Sequence, residues 1–209
     1  MKRIKIIWAF LGCISYIVTV SAQSALTVEA SQLYASFKFT DSQSATLNSD
    51  YSGIFTGAYG LGYRFTADNG IMLRTGAGMR KAGATMVYDD MNYRWDLQYA
   101  DLKLGGGYML KTDVASPYLN IAGYFAYLLR GFQTINNEDF DIKDNKTINT
   151  TDYGVFIIPG VRFTLTDTFS AFVEGSYMIG LQNLETDEGQ KSANSAFGLT
   201  LGLSISLGK

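Results

Sequence analysis

Alternation between large apolar residues and small or polar residues, repeated over eight segments, constrains the fold of this chain most strongly. In the last segment, one face carries the apolar residues Phe197, Leu199, Leu201, Leu203, Ile205 and Leu207. The positions between them are occupied by Gly198, Thr200, Gly202, Ser204 and Ser206. A period of two is the side-chain period of a β-strand with two different faces.

The same pattern predicts eight strands and two kinds of connection. The strands are expected at about 30–40, 51–66, 71–87, 94–111, 117–135, 153–165, 169–181 and 197–207. Short connections fall at 67–70, 112–116 and 166–168, and longer polar ones at 41–50, 88–93, 136–152 and 185–194. Short periplasmic turns and long external loops are typical of outer-membrane barrels, whose strands need about 9–11 residues to cross a bilayer. We therefore expect an all-β fold, an eight-stranded antiparallel transmembrane β-barrel with both termini in the periplasm.

The polarity of the two faces indicates which solvent surrounds the barrel. A water-soluble barrel such as a lipocalin is apolar inside and polar outside. Here glycine, serine and the charged residues of the strands share one face, so that face is expected to line the interior. Aromatic residues near strand ends resemble the girdles at a membrane interface, namely Tyr63, Phe65, Tyr88, Tyr93, Trp95 and Phe163.

The first 22 residues have the pattern of a secretory signal peptide. Three basic residues precede the apolar run from Ile6 to Val20, and small residues precede a cut after Ala22. We expect a signal peptide at 1–22 and one barrel domain at 23–209. A lipoprotein attached through Cys13 is the alternative, although the apolar run continues past that residue.

The composition of the mature part excludes several classes of protein. Cys13 is the single cysteine of the chain, so the mature part can form neither a disulfide nor a thiolate metal site. It has no apolar run near the ~18 residues of a membrane-spanning helix. Removing the basic signal makes the net charge of −2 more negative, so nucleic acid is not an expected partner.

Several segments carry a resemblance to a known family. The stretch PGVRFTLTDTFSAFVEGSYMIGLQNL at 159–184, with Tyr177, Gly180 and Leu181, resembles the PorT-like outer-membrane β-barrel proteins of Bacteroidetes-type envelopes and, more broadly, OmpA-like small barrels. YGLGYRF at 59–65, DLKLGGGYML at 101–110 and FGLTLGLSISLGK at 197–209 also resemble strands of this family. The resemblance implies barrel architecture and the cell outer membrane rather than a reaction. The non-aromatic end Leu207-Gly208-Lys209 departs from the terminal aromatic of many outer-membrane barrels.

The residue types offer little for catalysis. The chain contains no histidine, and without histidine or cysteine a nucleophilic triad would need an unusual substitute, so we expect no enzymatic activity and no cofactor. The acidic segment at 136–152 lacks the central glycine and the closing glutamate of a calcium loop. The four predicted external loops together hold twelve carboxylates, Asp152 among them, against three lysines. Such a surface should attract cations and repel anions.

The predicted interior is basic instead. Alternation along each strand places nine charged side chains inside. The basic ones are Lys38, Arg64, Arg74, Arg80, Lys103, Arg130 and Arg162, and the acidic ones are Asp101 and Glu174. Eight strands leave an interior that side chains can fill, so we expect a plug of ion pairs. Folding the hairpins about their connections places Arg80 opposite Asp101 and Arg162 diagonal to Glu174. Arg64 and Arg74 face each other near the periplasmic mouth without an assigned acid.

Three functions remain open at the level of sequence. The first is a structural or surface-interaction protein that meets envelope or extracellular proteins through the loops 41–50, 88–93, 136–152 and 185–194. The second, suggested by the PorT-like resemblance, is an accessory of envelope biogenesis or protein secretion. The third is a narrow solute channel, favoured by the basic interior. Outer-membrane lipid is the one partner that all three share.

Overall fold

The computed structural model describes residues 22–40, 51–186 and 191–207, which form an antiparallel sheet closed into a barrel. The strands are β1 (Ala22–Thr40), β2 (Tyr51–Ala67), β3 (Ile71–Tyr88), β4 (Met91–Met109), β5 (Ala115–Ile135), β6 (Glu138–Asp141), β7 (Thr151–Thr164), β8 (Phe169–Gly180) and β9 (Lys191–Ser206). Among these residues no helix has the length and apolar character needed to cross a membrane.

Eight of these strands form the wall, and the predicted eight-stranded antiparallel barrel is confirmed. Consecutive wall strands are neighbours, with β5 followed by β7, and the ring closes where β1 pairs with β9. The short β6 pairs only with the end of β5, from Phe132↔Asp141 to Ile135↔Glu138, and extends the wall as a hairpin. A closed barrel satisfies the backbone hydrogen bonds of every wall strand without leaving an exposed sheet edge.

The two ends of the barrel differ. The connections 68–70, 110–114 and 165–168, together with both described termini, lie at one end, here called the turn end. The opposite end, here called the loop end, carries the β3–β4 turn and the segments 136–150 and 181–186. The predicted loop 88–93 is wrong in length, because β3 and β4 pair up to Tyr88↔Met91. Asp89 and Asp90 alone form the turn, with φ of 50° and 55°, the left-handed pair that a tight hairpin of this type requires.

Two strands begin six or more residues earlier than predicted. β1 starts at Ala22 instead of 30, and β9 starts at Lys191, so that 191–194 belong to the wall and not to the loop 185–194. Asp152, assigned to an external loop, lies in β7. The predicted loop 41–50 and the predicted signal peptide, apart from Ala22, lie outside the described residues.

The faces of the strands follow the predicted polarity over most of the wall. Leu199, Leu201 and Leu203 are each more than half exposed on the outer surface, whereas Thr200 and Ser204 are buried inside. An apolar exterior around a polar interior is the inverse of a soluble protein and suits a lipid environment.

The polarity of the faces reverses toward the loop end, and the reversals in two strands correct a prediction. In β1 the odd-numbered residues point inward, with Leu33, Ala35 and Phe37 buried, so Lys38 is exposed on the outer wall. In β5 a bulge inserts Leu129 between the pairs Gln98↔Arg130 and Tyr99↔Leu128, which turns Arg130 outward as well. One extra residue in a strand exchanges the faces of all positions beyond it.

Candidate functional site in the lumen and at the loop end

The turn half of the lumen is filled by side chains bonded to one carboxylate, Glu174 of β8. Its Oε1 accepts hydrogen bonds from Arg74 Nη1 and from the Tyr118 hydroxyl, each at 2.5 Å, and lies 3.4 Å from Arg64 Nη2. These donors come from β2, β3 and β5, so the contacts cross the barrel. They close the interior against water because each of these side chains is at least nine-tenths buried.

A second carboxylate, Glu29 of β1, completes this turn-half cluster. Its Oε2 accepts a hydrogen bond from Arg74 Nη2, and its Oε1 accepts one from Lys103 Nζ at 3.3 Å. Arg64, opposite Arg74 in the register of β2 and β3, is held between the rings of Tyr118 and Phe172 at 4.9 and 4.8 Å from their centroids. Stacking of a guanidinium on aromatic faces compensates part of the cost of burying its charge.

Gly202 makes room for the buried ring of Phe172. A Cβ at this position would lie 2.1 Å from the ring's Cζ atom, closer than any real contact. The glycine therefore faces the lumen because the ring that packs against Arg64 occupies the space of a side chain.

The loop half of the lumen holds a second cluster around Arg80 of β3. Its Nη2 donates to Asp152 Oδ2 at 2.5 Å, and Asn194 Nδ2 donates to the same oxygen at 2.9 Å. Tyr124 donates to Asp152 at 3.2 Å, and the Arg80 guanidinium lies over its ring at 5.0 Å. Asp101, the predicted partner of Arg80, is more distant, 3.9 Å from Nε.

The two clusters leave little free space between them. A cavity of about 40 Å³ remains, lined among others by Arg74, Lys103 and Asn120. That volume holds a few water molecules at most, since each needs about 10–15 Å³ on this measure. Both polar atoms of the Asn120 amide are buried without a hydrogen-bond partner in the described chain, so they are available to such waters. Across the two clusters, four inward-facing cations form ion pairs with four carboxylates: Arg64, Arg74, Arg80 and Lys103 with Glu29, Asp101, Asp152 and Glu174.

Of the two predicted ion pairs, Arg80–Asp101 is present as a long contact, although Tyr99 and not Asp101 lies opposite Arg80 in the register of β3 and β4. The second predicted pair, Arg162–Glu174, is replaced by another contact. Arg162 is indeed diagonal to Glu174, because Glu174 pairs with Gly160, but its Nη1 donates to Gln23 Oε1 at 2.8 Å instead. Arg64 and Arg74 do face each other, and both reach Glu174, although no acid was predicted for them.

Glu29 and Asp152 were not predicted as lumen residues, because both were placed outside the strands. Extending the alternation of Leu26 and Val28 back to Ala22 would have placed Glu29 on the inner face of β1. Asp152 carries a comparable signal, since it continues the inner face of Gly154 in β7.

An apolar layer seals the lumen at the loop end. The segments 142–150 and 181–186 fold over the opening and bury Ile142, Ile148 and Leu184. Backbone hydrogen bonds fix them to the wall and to each other, including Ile142 N to Gly131 O at 3.1 Å and Leu184 N to Ser192 O at 2.8 Å. These side chains join the buried apolar cluster that includes Leu97 and Leu128.

A cleft of about 440 Å³ opens outward above this layer. Its walls are mainly apolar, and five of the lining residues are aromatic. Three of these rings contact each other, since the centroids of Phe37, Tyr51 and Trp95 lie 5.6 to 6.1 Å apart. Volume and character fall in the range of small-ligand sites, which are concave and chiefly apolar. The polar lining groups include Gln133, and Glu185, whose Oε1 accepts a hydrogen bond from Ser192 at 2.8 Å.

The described residues offer no centre for metal chemistry. No group of three or more histidine, cysteine, aspartate or glutamate side chains among them could hold a metal ion. The carboxylates of the lumen are instead engaged by arginine, lysine and tyrosine. What the geometry provides is a plugged barrel with an aromatic cleft on top.

Comparisons with known proteins agree with this architecture. A family model described as outer membrane protein β-barrel domain matches residues 21–185. Among solved structures, the Neisserial surface protein A is similar, with a TM-score of 0.56 and 13% identity over 90% of this chain and 99% of that one. OprG from Pseudomonas aeruginosa has a TM-score of 0.51 and 9% identity, over 91% of this chain and 98% of that one. A major outer membrane protein from Thermus thermophilus has a TM-score of 0.51 and 16% identity, over 88% of this chain and 99% of that one. By sequence, no curated protein matches. At these identities the likeness to solved structures shows the fold alone.

Proposed function

The chain belongs to the family of outer membrane protein β-barrel domains and lies in the outer membrane, and from this premise we propose that it is a non-enzymatic surface-recognition protein. The barrel is the scaffold, and the cleft at the loop end is the binding site. The observation that carries this proposal is the separation of the two: the ion-paired lumen is sealed, and the cleft lies outside the seal.

The lumen supports a scaffold rather than a pore. A solute crossing the barrel would have to displace Glu174 and Asp152, each with several hydrogen bonds, and also the apolar layer around Leu184. Breaking a buried ion pair costs about 3–5 kcal/mol, and such a path would break several. The basic residues that favoured a channel in the sequence are therefore structural.

The cleft favours ligands that present an uncharged or cationic apolar group. Aromatic rings stack on flat apolar groups, and the faces of the rings attract cations. Glu185 in the lining and the acidic segments beside it, including Asp139 and Asp144, repel anions. For this site to meet ligands of the environment, the loop end faces outward and both termini lie in the periplasm, as the short turns at the other end suggest.

The single tryptophan beyond residue 22, Trp95, reports directly on the cleft. The full-length mature protein in lipid nanodiscs is titrated with benzyltrimethylammonium, benzyl alcohol and benzoate while the emission of Trp95 is followed. We expect saturable changes with the cation and the alcohol, and at least about tenfold weaker binding of benzoate.

Two variants separate cleft binding from adsorption elsewhere. Tyr51→Ala should weaken the binding of the cation and of the alcohol. Phe140→Ala, on the exposed hairpin and outside the cleft, should leave the binding of both unchanged. No saturable response in the wild-type protein, or equal binding of all three compounds, would contradict the proposal.

The PorT-like resemblance of 159–184 makes an accessory role in secretion or envelope biogenesis the rival. That role requires a stable protein partner in the native envelope. Affinity purification from native membranes followed by mass spectrometry distinguishes the two, since the recognition role predicts no stoichiometric envelope protein with the purified barrel.

A further inference from the structure

Two basic side chains stand on the outer wall of the barrel near its loop end, Lys81 of β3 and Arg130 of β5, both exposed. Gln98 of β4 lies between them, because it pairs with Lys81 on one side and with Arg130 on the other. We call these three residues the basic row. With neighbouring strands about 4.8 Å apart, its two charged residues start from backbone positions about 10 Å apart.

The charges of this row are not compensated by the described protein. Asp96 lies next to the row, but Arg94 already binds it through both carboxylate oxygens, at 2.7 and 3.1 Å. Within the described ranges, neither Lys81 nor Arg130 has an acidic side chain within ion-pair distance, and the Arg130 guanidinium lies over the Phe132 ring at 5.7 Å. Two unpaired cations thus flank one position on the wall.

A groove of about 180 Å³ opens between them. It is lined by Lys81, Asp96, Leu97, Gln98, Arg130 and Phe132. The bulge at Leu129 creates this arrangement, because it turns Arg130 out of the lumen and into the groove.

The position of the basic row along the barrel axis indicates its depth in the membrane. Toward the turn end, the outward residues on β4 and β5 are apolar and about half exposed or more, as at Leu102, Phe125 and Tyr127. Arginine and lysine are tolerated on a lipid-facing wall only near the interface. The row therefore lies where the hydrocarbon ends and the phosphates of the lipid headgroups begin.

We propose that the basic row binds the phosphate of a lipid headgroup in the outer leaflet. Arg130 would contact two phosphate oxygens through its planar guanidinium, Lys81 would supply the second charge, and the Gln98 amide would donate between them. The leaflet assignment rests on the orientation proposed above, whereas the phosphate site itself does not.

The site can be tested in detergent solution, where orientation plays no part. Native mass spectrometry of the purified mature protein is used to titrate diphosphoryl and monophosphoryl lipid A. We expect the double variant K81Q/R130Q to bind diphosphoryl lipid A about tenfold more weakly, and the loss of one lipid phosphate to weaken binding to the wild type.

The matched control is K38Q, which removes another exposed cation of the wall, one that is bonded to the Tyr177 hydroxyl at 3.2 Å. It should bind like the wild type, and all variants should retain the wild-type melting temperature. Unchanged binding by K81Q/R130Q, or an equal loss in K38Q, would overturn the proposal. Binding of inorganic phosphate as tightly as diphosphoryl lipid A would also overturn it, because the site would then select free phosphate rather than a lipid headgroup.

Discussion

At the scale of single residues, Glu174 holds the turn half of the lumen together, since two arginines and Tyr118 share its Oε1 atom. Glu174→Gln preserves the shape of the side chain and removes its charge, which leaves buried guanidinium groups uncompensated. We expect the free energy of unfolding, measured by urea titration in phospholipid vesicles, to fall by about 3–5 kcal/mol. The control Asp68→Asn breaks the exposed pair with Lys111, 3.3 Å apart, and should cost about 0–1 kcal/mol. Equal losses would show that the lumen is hydrated.

The loop-half cluster allows a ranking of two carboxylates. Asp152 accepts hydrogen bonds from Arg80, Tyr124 and Asn194, whereas Asp101 approaches cations no closer than 3.9 Å. Asp152→Asn should therefore destabilise the protein clearly more than Asp101→Asn in the same urea titration. A larger effect at Asp101 would favour Asp101 as the main partner of Arg80, as the sequence predicts from hairpin geometry.

Partners in the lumen were harder to predict than lumen positions. Alternation within each strand places Arg64, Arg74 and Glu174 inside, and this alternation can be recognised from the sequence of the strand alone. Their contacts, however, run across the barrel from β2 and β3 to β8, which is far from both along the chain and is not their neighbour in the wall. Predicting them requires the register at the closing β1–β9 seam, which local sequence does not determine.

At the scale of elements, the bulge in β5 decides which surface Arg130 occupies. Unbroken alternation places Arg130 and Leu128 on the same inner face, whereas the bulge at Leu129 separates them. Since residues 23–209 contain no cysteine, Arg130→Cys and Leu128→Cys can be compared in this part of the chain by maleimide labelling of the folded protein in vesicles. We expect Arg130→Cys to react about ten times faster or more, because Leu128 is fully buried. Equal protection of both would contradict the bulge.

Alternation sufficed for the eight wall strands but not for their ends. The start of β1 was missed because Leu26 and Val28 are its only large outward residues before Tyr34, so the periodic signal is short and lies beside the predicted signal peptide. The inward turn of Phe37 and Phe39 could not be predicted from the polarity rule, because the loop half of the lumen is apolar where it meets the cleft. In both cases the three-dimensional environment of a strand end overrides the average pattern of the strand.

At the scale of the whole molecule, the proposed orientation predicts where a protease can act. Lys146 is exposed at the loop end, and Lys111 is exposed at the turn end. Trypsin added to intact cells should cut after Lys146, and it should cut after Lys111 only when the outer membrane has been permeabilised. Peptide mass spectrometry identifies the cleavage sites. Cutting after Lys111 in intact cells would reverse the topology.

The central feature of the molecule is a barrel closed by its own side chains, with a cavity of only about 40 Å³ between the turn-half and loop-half clusters. Ion conduction requires a continuous hydrated path, which the buried network of Glu174 and Asp152 and the apolar layer above it interrupt. Recording currents through the purified protein in planar bilayers tests this most directly. The closed barrel predicts no sustained conductance for the wild type at either polarity, and steady anion-selective currents, drawn by the basic residues of the lumen, would contradict it.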